Sequence, residues 1–278
     1  MEHPAYSQLR PVTHSVGVVL CDNPSYTALE GTNSWIIRAP GDRAAVVVDP
    51  GPQDEGHLNV LQSRAEAGGA KVALILLTHH HGDHADGAAR FRQLTGAPVR
   101  ALDPRYCAGG EVLTDGELIR VDGLTPTIEV VATPGHTGDS VCFFVHGAGG
   151  AAGTDDDVEG IISGDTLAGR HTTMISETSG DLGDYLDSLR KLEKRSHGVR
   201  LLPGHGPDRA DAAEVVEKYI DRREQRIAQV TAAVKELGED ATVGQIVDAI
   251  YTDVDPVLRS AAKQSTRVTL RYLGLPTN

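Results

Sequence analysis

Cysteine is scarce in this chain, with three thiols, Cys21, Cys107 and Cys142, spread over 278 residues. An odd, widely spaced set supports neither a disulfide framework nor a Cys-x-x-Cys metal pair, so buried, reduced thiols in a cytoplasmic protein are expected. Long apolar runs are missing as well. Near the N-terminus only Val16–Leu20 is continuously apolar, too short for the core of a signal peptide, and nothing approaches the roughly 20 residues of a membrane helix. A secreted or membrane-embedded protein is therefore not expected. Basic residues are in deficit too, with 26 Lys and Arg against 39 Asp and Glu and a formal net charge of −13. That balance favours solubility and opposes indiscriminate binding of nucleic acid. The length exceeds that of a usual single domain and allows a substantial core with a smaller appendage.

Histidine, by contrast, is concentrated in one place. Residues 78–84 read Thr-His-His-His-Gly-Asp-His, directly after the apolar run Val72–Leu77. Imidazole and carboxylate are donors that zinc and similar divalent ions prefer, and a cluster this dense repels itself on protonation unless a cation holds it. In an extended stretch alternate side chains share a face, so His79 and His81 converge while His80 points away. Asp83 and His84 fall at the start of an expected helix and face elsewhere, which suggests a second metal. A rival pairing of His80 with His84 at helical spacing is opposed by Gly82 between them and by the lack of a Glu after the first His.

Three other expected strand ends carry partners of the same kind. Thr127–Ala132 is followed by Thr-Pro-Gly-His136, Val199–Leu202 by Pro-Gly-His205, and Gly160–Ser163 by Gly-Asp165. Each donor arrives behind a glycine, which permits the tight turn that lifts a side chain off a sheet edge. Asp49, ending Ala44–Val48, repeats the pattern and is expected to hydrogen-bond a ligand imidazole.

In residue types and order, this set resembles the metallo-beta-lactamase superfamily of metal hydrolases over about residues 15–208. The resemblance implies an αββα sandwich, which pattern alone does not select over other α/β layers. It also implies two zinc ions, with His79, His81 and His136 on the first, Asp83, His84 and His205 on the second, and Asp165 bridging both. Iron or manganese suits the same donors. Antibiotic-destroying members place a cysteine where Asp165 stands here, so the chain resembles the wider hydrolase group. Residues 23–35 and 218–226 further resemble the beta-lactamase-like protein 2 group, whose members are associated with cleavage of single-stranded RNA.

The remaining pattern reads as α/β, with strands expected at Trp35–Arg38, Ala44–Val48, Val72–Leu77, Val99–Leu102, Glu117–Val121, Thr127–Ala132, Val141–Val145, Gly160–Ser163 and Val199–Leu202. Helices are expected at Glu55–Ala67, Ala85–Leu94 and Leu182–Arg195. Residues 147–159, small and acidic, read as a surface loop. The catalytic domain is placed at 1–207 and a helical, winged-helix-like domain at 208–278. Its elements are an apolar stripe from Val216 to Leu237, a capping box at Thr242–Gln245, and a helix opened by Asp255-Pro256 and stopped by Gly274. On that last helix Arg259, Lys263, Arg267 and Arg271 recur at steps of four and form a basic stripe, suited to phosphate or a partner, or to solvated ion pairs.

The expected activity is that of a dinuclear zinc hydrolase using a metal-bridging hydroxide, with Asp83 orienting the nucleophile. A phosphodiesterase acting on an anionic substrate, single-stranded RNA, is the first reading. Hydrolysis of a thioester or lactone is the second, and a metal-stabilised regulator the third. His171, six positions past Asp165, is a candidate leaving-group acid, and Arg170 a candidate substrate contact. His57, His146 and His197 are assigned to structural or surface positions.

Overall fold

The computed structural model describes residues 5–147, 157–238, 240–252 and 258–278. Of the loop expected over 147–159, residues 148–156 lie outside them, as does the Asp255-Pro256 helix start, while Val158 and Glu159 are strand instead of loop. Six strands, β1 (Leu9–Pro11), β2 (Val16–Leu20), β3 (Asn33–Ile37), β4 (Ala44–Val48), β5 (Lys71–Leu76) and β6 (Val99–Arg100), form one sheet in chain order. Five more, β7 (Leu118–Ile119), β8 (Thr127–Ala132), β9 (Val141–His146), β10 (Val158–Gly164) and β11 (Leu201–Pro203), form a second in the order β11-β10-β9-β8-β7.

Helices cover both outer faces. Along β4, Val46 and Val48 face the second sheet while Ala45 and Val47 face α1 (Glu55–Ala65) and α3 (Ala88–Thr95), so every position in the strand is buried. That double burial explains why the strand reads as an unbroken apolar run. On the other side Phe144 and Ile161 pack under Leu186 and Leu189 of α4 (Leu182–Glu193), and Phe143 and Ile162 fill the space between the sheets. The result is the expected αββα sandwich.

Two local expectations need correction. The helix expected over 85–94 is split into α2 (Gly82–Ala85) and α3, because the Gly87 amide turns to the Gly51 carbonyl at 2.9 Å. The first two strands were not expected; Val16–Leu20 is short and broken by Gly17, and its pairing with β3 is a long-range contact that no local pattern announces.

The long helix α5 (Ala212–Leu237) belongs to two cores. Ala212, Val215, Val216 and Tyr219 pack with α4 and the second sheet, whereas Val230, Ala233 and Val234 pack with α6 (Val243–Ile250) and α7 (Arg259–Tyr272). Asp211 caps α5 through the Ala213 amide, and Thr242 and Gln245 form the expected capping box on α6. Among the described residues no strand follows β11, so the C-terminal region presents three helices without a wing. No described helix is long and apolar enough to cross a membrane.

Cys21 and Cys142 are buried and Cys107 is half-buried, all three as free thiols. His57 is buried against the Ser34 hydroxyl at 2.9 Å, and burial pushes its pKa down to about 4. His197 is exposed. His146 is fully buried and, with Arg195, brackets Glu129: its Nε2–H donates to the carboxylate at 3.1 Å while Arg195 grips both oxygens at 2.8 and 2.9 Å. These two donors, His146 first, hold the Glu129 carboxyl down to about 2 from its ordinary 4.5. A carboxylate whose pKa falls on folding adds stability above pH 4.5 that is lost as the pH drops through 2. Glu129→Gln should therefore cost about 1 to 2 kcal/mol at neutral pH in denaturant unfolding, because a neutral amide oxygen replaces the charged acceptor of His146 and of the part-exposed Arg195. The gap to wild type should narrow as the pH falls through that window, and a gap independent of pH would contradict the assignment.

Candidate metal centre

The ends of four strands deliver the seven donors to one rim of the sandwich. After β5 the chain runs extended through His79 and His81 and enters α2 at Gly82, so Asp83 and His84 follow on helical backbone. His136 stands in the turn after β8, Asp165 just past β10, and His205 just past β11. Two glycines are required by close approach. A Cβ on Gly164 (φ 48°) would lie 2.4 Å from the Thr78 hydroxyl, and one on Gly135 (φ 134°) would lie 2.3 Å from the Tyr185 Cα. Any larger residue at either position would push the following donor off the rim.

The seven donors form two groups, His79, His81, His136 and Asp165 in one and Asp83, His84 and His205 in the other. Asp165 faces both: its Oδ1 lies 3.4 Å from His84 Nε2 and 3.3 Å from His205 Nε2, and its Oδ2 lies 3.7 Å from His136 Nε2. Asp83 Oδ2 sits 3.2 Å from His205 Nε2. His80 points away, as expected, and pairs with Asp139 at 2.6 Å.

Outer hydrogen bonds fix how each ring is turned. Asp49, at a strained φ of 52°, accepts from the Thr78 amide, the Thr78 hydroxyl and His84 Nδ1–H at 2.8, 2.6 and 2.8 Å. The same hydroxyl accepts from His79 Nδ1–H at 3.0 Å. Met174 O accepts from His136 Nδ1–H at 2.6 Å, and Gly31 O from His205 Nδ1–H at 3.1 Å. With each Nδ1 occupied outward, the Nε2 atoms of four histidines point inward, as acceptors when the rings are neutral, and His81 joins them through Nδ1, 3.0 Å from His136 Nε2.

Two facing lone pairs at that distance make no hydrogen bond. His79 Nε2 and Asp165 Oδ1 are likewise buried with no hydrogen-bond partner. Such orphaned acceptors are costly unless a cation satisfies them, so the residues fit a metal centre. The electrostatics agree. Burial, reinforced by neighbouring imidazoles, holds His79 well below its ordinary range and brings His81 down to about 4. Burial alone would raise the Asp165 carboxyl, but His205, His84 and His136 together hold it well below the carboxylate range. His84 and His205 go the other way: burial opposes their protonation, but Asp165, with Asp49 at His84 and Asp83 at His205, raises both, a local excess of negative charge that a bound cation would neutralise in place of a proton.

The centre opens onto a cleft of about 870 Å³. Its far walls are the segment around 168–176, α5 and α7. His171 (φ 61°) and Arg170 both line it, and the Arg170 guanidinium pairs with Glu30. None of the four α7 cations does. Arg259 pairs with Asp248, Arg267 reaches Glu177 at 3.5 Å, Arg271 donates to the Glu177 carbonyl at 2.8 Å, and Lys263 is half-buried on the same helix. Besides Arg170, the cations that line the cleft are Arg222, Arg223 and Arg226 of α5, which the sequence reading does not single out. Their spacing, Arg-Arg-Glu-Gln-Arg, was the available signal.

A profile of the metallo-beta-lactamase superfamily matches residues 28–205. The chain is 27% identical to the beta-lactamase-like protein 2 homolog of Caenorhabditis elegans, over 97% of this chain and 88% of that one. It is 30% identical to the atrochrysone carboxyl ACP thioesterase of Aspergillus fumigatus, over 84% and 72%. The crystal structure of a beta-lactamase domain protein from Burkholderia ambifaria superposes with a TM-score of 0.73 at 19% identity, covering 98% of this chain and 91% of that one; at this identity the likeness speaks for the fold. The matched segment contains both sheets' central strands and all seven donors, and the chain belongs to the metallo-beta-lactamase superfamily of metal-dependent hydrolases.

Proposed function

We propose that this chain is a two-zinc hydrolase of acyl thioesters, with iron or manganese as metals the same donors accept. The observation that carries the reading is the cleft itself. It is walled on the far side by helices and lined by Leu29, Met174, Ile175, Leu182 and Val268 as well as by arginines, a setting for an acyl chain next to an anionic carrier. The thioesterase relative supports the same chemistry.

When bound, the ions would polarise the scissile carbonyl and lower the pKa of a water. Asp83 is the most open of the carboxylate donors, 35% exposed against 14% for Asp165, and it orients the attacking water. The water oxygen adds to the acyl carbon, the carbon–sulfur bond breaks, and the departing thiolate takes up a proton. His171, exposed and on the cleft wall, is placed to give that proton or to hold the leaving group.

Cleavage of single-stranded RNA is the second reading, favoured by similarity to a beta-lactamase-like protein 2 homolog across nearly the whole chain. The α7 stripe lends it little, since those cations lie outside the cleft and three are engaged within the chain. A nuclease would have to use the α5 arginines instead.

Purified protein should hold about two transition-metal ions per chain and hydrolyse a thioester such as benzoyl-coenzyme A. A chelator should abolish turnover, and Asp165→Asn should lower metal content and reduce kcat by at least about 100-fold. A metal-replete sample that cuts a single-stranded RNA oligonucleotide and leaves thioesters intact would replace the first reading with the second.

A further inference from the structure

The wall facing the metal ligands carries its own charge. Along α5, Arg222 with Arg226 and Gln225 with Gln229 are spaced one turn apart and line the cleft together. Other arginines of this acidic chain find carboxylates, as Arg10 does with Asp208, Arg90 with Glu55 and Arg100 with Glu117, or backbone carbonyls, as Arg38 does with Ala65 and Ala67. Arg223 donates to the Thr173 carbonyl and lies 5.1 Å from the Tyr185 ring centroid. Arg226 differs. Its guanidinium is half-buried, stacked 4.1 Å from the Tyr251 ring centroid, and it has no hydrogen-bonded acceptor or carboxylate partner among the described residues. Stacking fixes the plane of a guanidinium while leaving its edge open to an anion. Burial lowers its pKa, a sign of a cation held out of water without an opposing charge.

We infer that Arg222 and Arg226 form an anion subsite for a phosphate on the carrier portion of the substrate, with Tyr251 setting the plane of Arg226. The inference rests on the thioester reading for the identity of the carrier. Tyr219, whose hydroxyl accepts from the Ala168 amide at 2.9 Å, marks the level of the loop after Asp165. Arg226 stands two turns farther on, about 10 Å along the axis. A phosphate bound there is separated from the reacting carbonyl by a flexible arm.

The test compares metal-loaded wild type, Arg222→Gln and Arg226→Gln on two thioesters with one acyl group, benzoyl-coenzyme A and the uncharged benzoyl-N-acetylcysteamine. Each variant should raise KM for the coenzyme A ester about tenfold, with kcat retained and the uncharged ester unaffected, which also shows that the variants fold. Binding of desulfo-coenzyme A, followed by calorimetry, should weaken in parallel. Equal changes for both esters, or unchanged desulfo-coenzyme A binding, would overturn the subsite. If wild type hydrolysed neither ester yet bound desulfo-coenzyme A through Arg226, the subsite would stand and the thioester reading would fall.

A separate observation ties the C-terminal helices to a metal ligand. In the segment 173–177 alternate carbonyls point opposite ways. Thr173 O accepts from Arg223, Ile175 O from Gln264 at 2.8 Å and Glu177 O from Arg271 at 2.8 Å. Between them Met174 O takes His136 Nδ1–H, and the Ser176 amide donates to the His136 carbonyl at 3.0 Å. We propose that Gln264 and Arg271 are positioning residues that hold this segment, and through it His136, against the metal centre. Zinc-loaded Gln264→Ala and Arg271→Ala should release metal to excess chelator about 3- to 10-fold faster than wild type. Arg259→Ala, on the same helix but bonded to Asp248, should not. Release rates equal to wild type in Gln264→Ala and Arg271→Ala, whatever their melting temperatures, would overturn the coupling.

Discussion

Everything in this molecule turns on acceptor atoms aimed at one another. His84 and His205 bring Nε2 atoms within 3.1 Å, and His136 and His81 bring ring nitrogens within 3.0 Å. Between neutral rings such contacts repel unless positive charge lies between them, and the carboxylates beside His84 and His205 draw that charge in, as a proton in the bare chain or as a metal ion. The outer bonds from Asp49, Thr78, Met174 and Gly31 prevent the rings from turning to escape. The fold thus holds an arrangement that is unfavourable in the bare chain and favourable around cations, and that directional preference defines the site.

Several layers contribute to holding it. The sandwich supplies a rigid rim, because strands buried on both faces cannot shift without opening the core. The turns after β5, β8, β10 and β11 open on that rim and bring their donor atoms within 4.8 Å of one another in each group. The helices beyond α4 add the far wall and brace the segment 173–177. Chemistry at the rim and selectivity in the wall are therefore carried by different elements, which fits a superfamily in which one ligand set serves several bond types.

The parts of this design that depend on local pattern were legible in the sequence. β4 and β8 fall at the expected residues because both are rich in apolar, β-branched residues and are followed within two positions by Pro-Gly. Four of the seven donors stand out in the sequence because they crowd into residues 79–84, the other three because each follows a glycine at an expected strand end, and Asp49 because it ends a strand before Pro-Gly. What depends on distant contact was not. Leu9–Pro11 is a strand only because β2 lies beside it. Met174 holds His136 through a backbone carbonyl, which no side-chain pattern can announce. The basic stripe on α7 was visible, but its engagement with Glu177 and Asp248 depends on how the helix docks. Arg226 was hidden among ordinary helix charges, since its isolation arises only when α5 faces the cleft.

The measurement closest to the central claim is anomalous diffraction from crystals saturated with zinc. The account requires two peaks at the sheet rim, one among His79, His81 and His136 and one among Asp83, His84 and His205, with Asp165 between them. A saturated crystal with no ordered metal there, or with the seven side chains turned away from a common centre, would contradict it.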